Sequence, residues 1–347
     1  MKFAVRSLSI AITVVLGVVL VAACLVFFFV PAPPASHSVK TNRTAAAGSM
    51  SSQKDVGSWL LSGLKMVGLS HEKELVAFMV ENHEAARPFQ EGVRQALLVE
   101  EFPVEGFISR FALVFDKNDL PKRIGPMRSL RPYYIDALEP WASTVIHAGG
   151  SPEAFAKVEN GEISAFNLLF YYDKAERDKE VPEPHNLFIR RDKVLSLLTR
   201  EVRGTEWPPY DIGTPRTGSA ALIVKLNFHN PLHNVVYTYD RLGDAYVRAS
   251  GDVKNQGAPR NVLIVEMPVS SIGEYGRLTI PVVGRGRAFL FHSGIMQEGY
   301  WHKKGLYSPF TFTTAQGDPL LFAPGQTWMT ALPGLDRLSW FPVVQPK

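Results

Sequence analysis

Ser143-Thr144-Val145-Ile146-His147-Ala148, followed directly by Gly149-Gly150-Ser151-Pro152-Glu153-Ala154, is the stretch on which the fold turns. The first part is a short β-branched apolar run of strand character. The glycine pair breaks it, Ser151 supplies an N-cap, and Pro152 suits the first position of a helix. Strand thus gives way to helix within a few residues, and the same alternation extends upstream. Leu75 to Val80 is an apolar run ended by Glu81-Asn82-His83, a buried strand opening into a polar loop. Phe107 to Phe115 is a second strand, with Asp116-Lys117-Asn118-Asp119 as its turn, and Tyr133 to Leu138 opens a helix that Pro140 limits.

Downstream the pattern changes. A long charged connection, Asp173 to Pro184, reads as an exposed loop. Beyond it, Ala220–Leu226, Val235–Tyr239, Ala245–Ala249, Val262–Met267, Leu278–Val283, Ala288–Phe291 and Phe310–Thr314 are short β-branched or aromatic runs between turn residues. The expected class is α+β: a mixed α/β first half packed against a β-rich second half, in layers of sheet and helix.

Of the 347 residues 37 are basic and 33 acidic, a formal net charge of +4, but the excess is local. Lys2, Arg6, Lys40 and Arg43 fall in the first fifty residues, which hold no acid, so the rest carries 33 groups of each sign. A neutral body lacks the electropositive footprint of a nucleic-acid binder. One Cys excludes an internal disulfide framework and any multi-thiolate metal site. No cofactor is expected.

From Leu8 to Val30 the chain is apolar and uncharged behind Lys2 and Arg6, longer than the roughly 20 residues a spanning helix needs. The leading positive charges place the N-terminus in the cytoplasm and the body outside it. Val21-Ala22-Ala23-Cys24 also resembles a lipobox, with Cys24 as the lipidated residue, but the apolar run continues through Phe27-Phe28-Phe29. The uncleaved anchor is the favoured reading over a lipoprotein signal. The Pro-, Ala- and Ser-rich stretch that follows reads as a flexible stalk.

The densest polar set is Asn82, His83, Arg87, Glu105, Arg110, Arg123, Arg128 and Arg131. Arginine's planar fork suits carboxylate or phosphate, and Gly125-Pro126-Met127-Arg128-Ser129-Leu130-Arg131 sets two forks beside a Gly-Pro turn. Neighbouring acids, Glu81, Glu84 and Glu105 among them, could equally claim these arginines, so pairing and ligand binding both stand open. His147 before Gly149-Gly150, and His185-Asn186 after Pro184, could line such a site or simply bond their own turns. His229 and His233 stand four apart, but Asn230-Pro231 breaks the helix a metal pair would need, so no metal site is expected. Gly284-Arg285-Gly286 reads as a turn, and the aromatic-rich stretch holding Trp301, Phe310, Phe312 and Trp328 reads as core.

Asn82-His83-Glu84-Ala85-Ala86-Arg87-Pro88, Glu105-Gly106, Arg110-Phe111, Ile124 to Tyr133, His147 to Ala154, Pro184-His185-Asn186-Leu187 and Pro324-Gly325-Gln326-Thr327-Trp328 together resemble the YerB-like lipoprotein family, in the same order. The resemblance implies a bacterial envelope domain of unknown function, built as a layered ββα sandwich of two β-sheets and helices with a distinct C-terminal part. With the anchor and stalk read above, the expected domain plan is 1–30 anchor or lipoprotein signal, 31–69 stalk, and then, as the resemblance implies, 70–200 N-terminal domain and 215–335 C-terminal β-rich domain. A looser resemblance, to the LytR-CpsA-Psr phosphotransferases, rests on Phe111–Phe115, Arg128 and Gly149-Gly150, but Ser129 stands where that family's acid is expected.

The expected function is a membrane-tethered, extracytoplasmic protein that binds an anionic cell-wall ligand or an envelope protein partner. Asn82, Arg87, Glu105, Arg110, Arg128, Arg131, His147, His185 and Asn186 are its expected ligand-binding residues. The alternative is a cell-wall precursor phosphotransferase or hydrolase whose arginines hold a diphosphate, with Mg²⁺ neutralising its charge. The residues name no reaction and assign no catalytic group.

Overall fold

The computed structural model describes residues 71–343, except 200–201, 216–217, 229, 252 and 273–275. The anchor, the stalk and Cys24 lie outside the described residues. No helix among those described is long and apolar enough to cross a membrane. The described residues fall in one compact unit, Leu61–Lys347.

The chain is β-rich with three α-helices among the described residues, an α+β architecture. In the first part β1 (His71–Glu81), β2 (Leu98–Pro103), β3 (Ser109–Asp116), β4 (Thr144–His147) and β5 (Ser164–Asn167) alternate with α1 (Pro132–Leu138), α2 (Pro152–Glu159) and, further on, α3 (Arg191–Leu197). The second part has β6 (Ile223–Leu226), β7 (Val235–Asp240), β8 (Ala245–Ser250), β9 (Val253–Gly257) and β10 (Asn261–Glu266). It ends with β11 (Gly284–His292), β12 (Ile295–Lys303), β13 (Thr327–Leu332) and β14 (Leu338–Phe341).

One sheet runs through both parts in the order β12-β11-β10-β13-β2-β3-β1-β4-β5, and a second is ordered β9-β8-β7-β6-β14. The seam of the first is the parallel pair β2 and β13, registered from Leu98 opposite Thr327 to Glu101 opposite Thr330. Every residue of both strands is buried. β2, with two glutamates at its centre, is invisible to a reading of apolar runs, and it joins the two parts.

Strand geometry accounts for the core. Alternate residues of a strand face opposite ways. Leu75, Ala77 and Met79 of β1 pack with Tyr134, Ile135, Leu138 and Trp141, the helical side, whereas Val76, Phe78 and Val80 pack with Phe115, Ile124, Leu187 and Ile189. Both faces are covered, so Leu75–Val80 is wholly apolar rather than alternating. A third cluster holds Val224, Tyr237 and Tyr246 of the second sheet with Val262, Phe289 and Phe291 of the first.

The helix at Ser151 starts as the residues require: the Ser151 hydroxyl accepts from the Ala154 amide at 3.3 Å, with Pro152 at the first position. Two expectations are corrected. The charged connection is not one loop, because Ala175–Arg177 pairs antiparallel with Leu187–Arg190. Gly284-Arg285-Gly286 opens β11 instead of forming a turn. A Cβ on Gly286 would stand 2.5 Å from the Glu266 carbonyl oxygen and the Trp301 indole nitrogen, so close strand approach selects glycine there.

Close approach also governs Gly257, whose added Cβ would meet the buried Trp328 ring at 2.7 Å. Gly257→Ala is expected to cost about 1–3 kcal/mol by overpacking, read as a lowered urea midpoint with unchanged slope. An unchanged midpoint would show that the ring has room to move.

Candidate functional site

β1 and β4 are parallel and paired only over Val76–Phe78 opposite Thr144–Ile146. Past that point the segment Gly125–Arg131 lies between their carboxyl ends. The Glu81 amide donates to the Pro126 carbonyl, Arg128 to Met79, Ala148 to Arg128 and Leu130 to Gly149, all at 2.9–3.0 Å. Carboxyl ends of adjacent parallel strands form a crevice where α/β proteins commonly hold ligands. Here that edge carries Glu81-Asn82-His83 from β1, His147 to Gly150 from β4, and Arg128 between them.

Glu81, 5% exposed, is the anchor of the edge. Its Oε1 pairs with Arg128 Nε at 2.9 Å and its Oε2 with His185 Nδ1 at 2.9 Å. The His185 ring stacks on His83, centroids 5.1 Å apart and planes 17° apart. A buried carboxylate thereby orients an arginine and a histidine through one side of each. Among the described residues Arg128 is engaged only at Nε, so its terminal amino groups face outward from a side chain that is 29% exposed.

Arg131, by contrast, is fully committed. Its Nε and Nη2 grip Glu105 at 2.7 and 2.9 Å, while Nη1 donates to the Leu130 carbonyl. Burial works against the charged form of Glu105, yet the bond to Arg131 prevails and holds the carboxyl below its ordinary range. Arg110 donates from Nη1 to the Ser129 carbonyl at 2.7 Å; burial, then the charge of Arg131, lowers its pKa. Arg110 of β3 thus leans on the segment that carries Arg128 and Arg131; Arg110 and Arg128 each bond through a single nitrogen, whereas Arg131 uses all three.

The other expected residues have different partners. Asn82 and Arg87 are 2% and 4% exposed and turn inward. Asn82 Nδ2 donates to Ser109 Oγ at 2.7 Å, and its Oδ1 accepts from Gln256 Nε2 at 2.9 Å. Arg87 Nε donates to the Asn82 carbonyl at 3.2 Å, Nη1 to the Leu232 carbonyl, and Nη2 lies 2.5 Å from His233 Nδ1. His233, buried in the 3-10 turn Pro231–His233 that Asn230 caps, also approaches Glu84 at 3.3 Å; His229 lies outside the described residues. His147 is 1% exposed, with Nδ1 2.7 Å from the Gly149 carbonyl, and burial lowers its pKa. Asn186 Oδ1 accepts from Arg177 Nη1 at 2.9 Å, and its Nδ2 donates to the Asp178 carbonyl at 3.3 Å, the bonding of a turn.

Two contributors escaped the sequence reading. Glu81 stood among the neighbouring acids, and only its position at the last residue of β1 marked it. The other is an aromatic loop. Asn167 Oδ1 accepts from the Gly149 amide at 2.9 Å and the Leu169 amide at 3.2 Å, tying the glycine turn to the residues that follow. A Cβ on Gly149 would stand 3.3 Å from Ser129 Oγ and 3.5 Å from Leu169 Cδ1, so this loop adjoins the arginine segment. Its Phe170 and Tyr172 are 76% and 83% exposed. Trp301, Phe310, Phe312 and Trp328, in contrast, are buried, as core aromatics should be. No group of three or more His, Cys, Asp or Glu among the described residues is arranged to hold a metal.

Two family models match the chain: the N-terminal domain of a protein of unknown function (DUF3048) over residues 61–204, and its C-terminal domain over residues 224–329. YerB of Bacillus subtilis (strain 168), a protein named as a lipoprotein, is 30% identical over 298 residues, 80% of this chain and 87% of that protein. The crystal structure of YerB matches with a TM-score of 0.69 at 29% identity, covering 77% of this chain and 93% of the solved one.

Proposed function

The chain belongs to the DUF3048 family, of which YerB is a relative, and on that premise we propose an envelope protein that holds an anionic cell-wall ligand at the edge formed by Glu81, Arg128 and His185. In this reading a layered ββα body stands outside the cytoplasmic membrane, tethered through residues 8–30 or through a lipidated Cys24. The name of YerB as a lipoprotein supports the tether.

The observation that carries the ligand site is Arg128. Its Nε is fixed by a buried carboxylate and its two amino groups are left over, so the fork is oriented before any ligand arrives. Such preorganisation lowers the cost of binding. His185, held by the same carboxylate, and the ring of His83 flank it. Phe170 and Tyr172 add exposed faces on which a sugar ring can stack. An arginine on a segment adjoined by a loop with open aromatics fits a glycan carrying carboxylates.

The test is the melting temperature of the full-length chain with and without acidic muropeptides. At a hundredfold the dissociation constant a ligand stabilises by ~2.7 kcal/mol, a rise of a few degrees in a body of this size. Arg128→Ala is expected to abolish that rise. The double change Phe170→Ser with Tyr172→Ser, at exposed positions, is expected to reduce it without altering the ligand-free melt. An equal rise in the wild type and in Arg128→Ala would remove this edge from consideration.

A further inference from the structure

A second basic surface shares no lining residue with the Arg128 edge. Two adjoining cavities, of about 720 and 530 Å³, share Glu91, Lys122, Arg123 and Arg191 in their walls, and so form one trough. Arg94 lines only the first and Arg190 only the second, placing a cation toward either end. Gln90, Gln256 and Arg87, members of the buried network, also line the first, so the trough reaches from the N-terminal part to β9.

The charges in this trough are unequally satisfied. Arg123 takes three carboxylates: Glu91 at 3.1 Å, Glu176 at 3.6 Å and Asp178 at 2.6 Å. It also stacks on Phe188 at 3.8 Å. Arg190 pairs with Asp192 at 3.3 Å. The remaining cations are held together by the backbone. Arg123 is registered opposite Arg190, and the next residues out are joined because the Arg191 amide donates to the Lys122 carbonyl at 3.0 Å. Lys122 and Arg191 are exposed, and among the described residues neither side chain has an ion pair or hydrogen bond. Arg94 donates only to the Asn255 carbonyl. Asp119 is the one lining carboxylate with no ion pair among the described residues.

Like charges side by side on paired strands are unfavourable unless an anion lies between them. Glu91, Glu176, Asp178 and Asp192 are already bound to Arg123 and Arg190, which leaves Asp119 as the one unpaired lining acid among the described residues against Lys122, Arg191 and Arg94, so an anion from outside is needed to balance them. Lysine as a point charge and arginine as a fork both suit phosphate. A trough of two cavities with cations along it suits several phosphates in a row rather than one. We propose that this trough is a binding site for a linear polymer carrying phosphate groups, separate from the Arg128 edge and independent of the reading given to it.

The test is titration of the full-length chain in detergent with inorganic tripolyphosphate, followed by calorimetry. Saturable binding is expected. Lys122→Glu with Arg191→Glu should weaken it at least about tenfold, as expected for loss of charge-assisted contacts. Both positions are exposed, so an unchanged melting temperature confirms that the variant is folded. Arg285→Glu with Lys304→Glu, an equal change of net charge outside the trough, should leave binding within about twofold. Absence of saturable binding, or equal weakening by both pairs, overturns the site. Competition by poly(glycerol phosphate) supports a polymer ligand. Competition only by vesicles of phosphatidylglycerol overturns it in favour of a lipid headgroup, and competition by neither overturns it outright.

Discussion

Arg248→Ala should lower the stability of the folded body by about 3–5 kcal/mol, the cost of breaking a buried ion pair and leaving its partner charged. Arg248 and Glu101 are both 0% exposed and meet at 2.7 Å between Nη2 and Oε1. The guanidinium also donates from Nε to the Tyr237 hydroxyl at 3.2 Å and from Nη1 to Gln256, and it lies 4.6 Å over the Trp328 ring. Glu101 accepts further from Ser109 at 2.6 Å, Trp328 Nε1 at 3.0 Å and Thr330 at 3.3 Å. Each donor of the fork has its own acceptor, so Arg248→Lys is expected to destabilise as well, because one ammonium cannot span three acceptors. Glu101→Ala combined with Arg248→Ala should cost less than the two single changes added, since each single change strands the other charge. Urea midpoints of the wild type, the two alanine variants and their combination decide the coupling, and that of Arg248→Lys the need for a fork. A change below about 0.5 kcal/mol for Arg248→Ala would show that the network contributes no net stability.

The second large effect is a dependence of stability on pH that arises from Glu100, the neighbour of Glu101 on β2 that faces the other side. It is 0% exposed, and neither carboxyl oxygen has a hydrogen-bond partner among the described residues. Burial pushes its pKa to about 8, only partly offset by the charge of Lys303 and the indole of Trp141. The folded state then binds the proton more tightly than the unfolded chain, whose carboxyl titrates near 4.5. Stability from this group is complete below that pH and is lost as pH rises toward 8, a loss on the order of 5 kcal/mol. Lys303 acts in the next window. Its ammonium donates to the carbonyls of Gly305, Leu306 and Ser308, while burial brings its pKa down to about 8. A lowered lysine makes stability rise again above that pH, so the curve should pass through a minimum there. Glu100→Gln should flatten the limb between pH 5 and pH 8 and leave the rise above it. An unchanged slope in Glu100→Gln would rule Glu100 out as the source.

Both effects come from β2, the strand that a search for apolar runs misses. Leu98-Val99-Glu100-Glu101-Phe102-Pro103 looks half polar, and only the neighbours β13 and β3 bury it. The three-stranded unit around Leu187–Arg190 went unread for a related reason, since its partners Ala175–Arg177 sit in a charged stretch. The strands at Leu75–Val80 and Thr144–Ile146, and the helix after Ser151, were legible because apolar runs, caps and breakers are local signals. The candidate site divides the same way. His185 and Arg128 were recognisable from residue type and position, but Arg131 and Arg128 look alike in the chain. The structure separates them, giving one a bidentate carboxylate and the other a single bond at Nε. Asn82 and Arg87 likewise read as polar residues of loops and strand ends, and their burial depends on Gln256 and Leu232, well over a hundred residues away.

The α+β class, the apolar leader ahead of the body and the family are readable from the chain alone, because composition, short-range period and ordered motifs are written in consecutive residues. Which polar groups are spent holding the two parts together, and which keep unpaired donors, follows from the tertiary packing alone. A charge is committed or free according to what the fold brings within about 3 Å of it, and that depends on pairing between distant strands rather than on any local pattern.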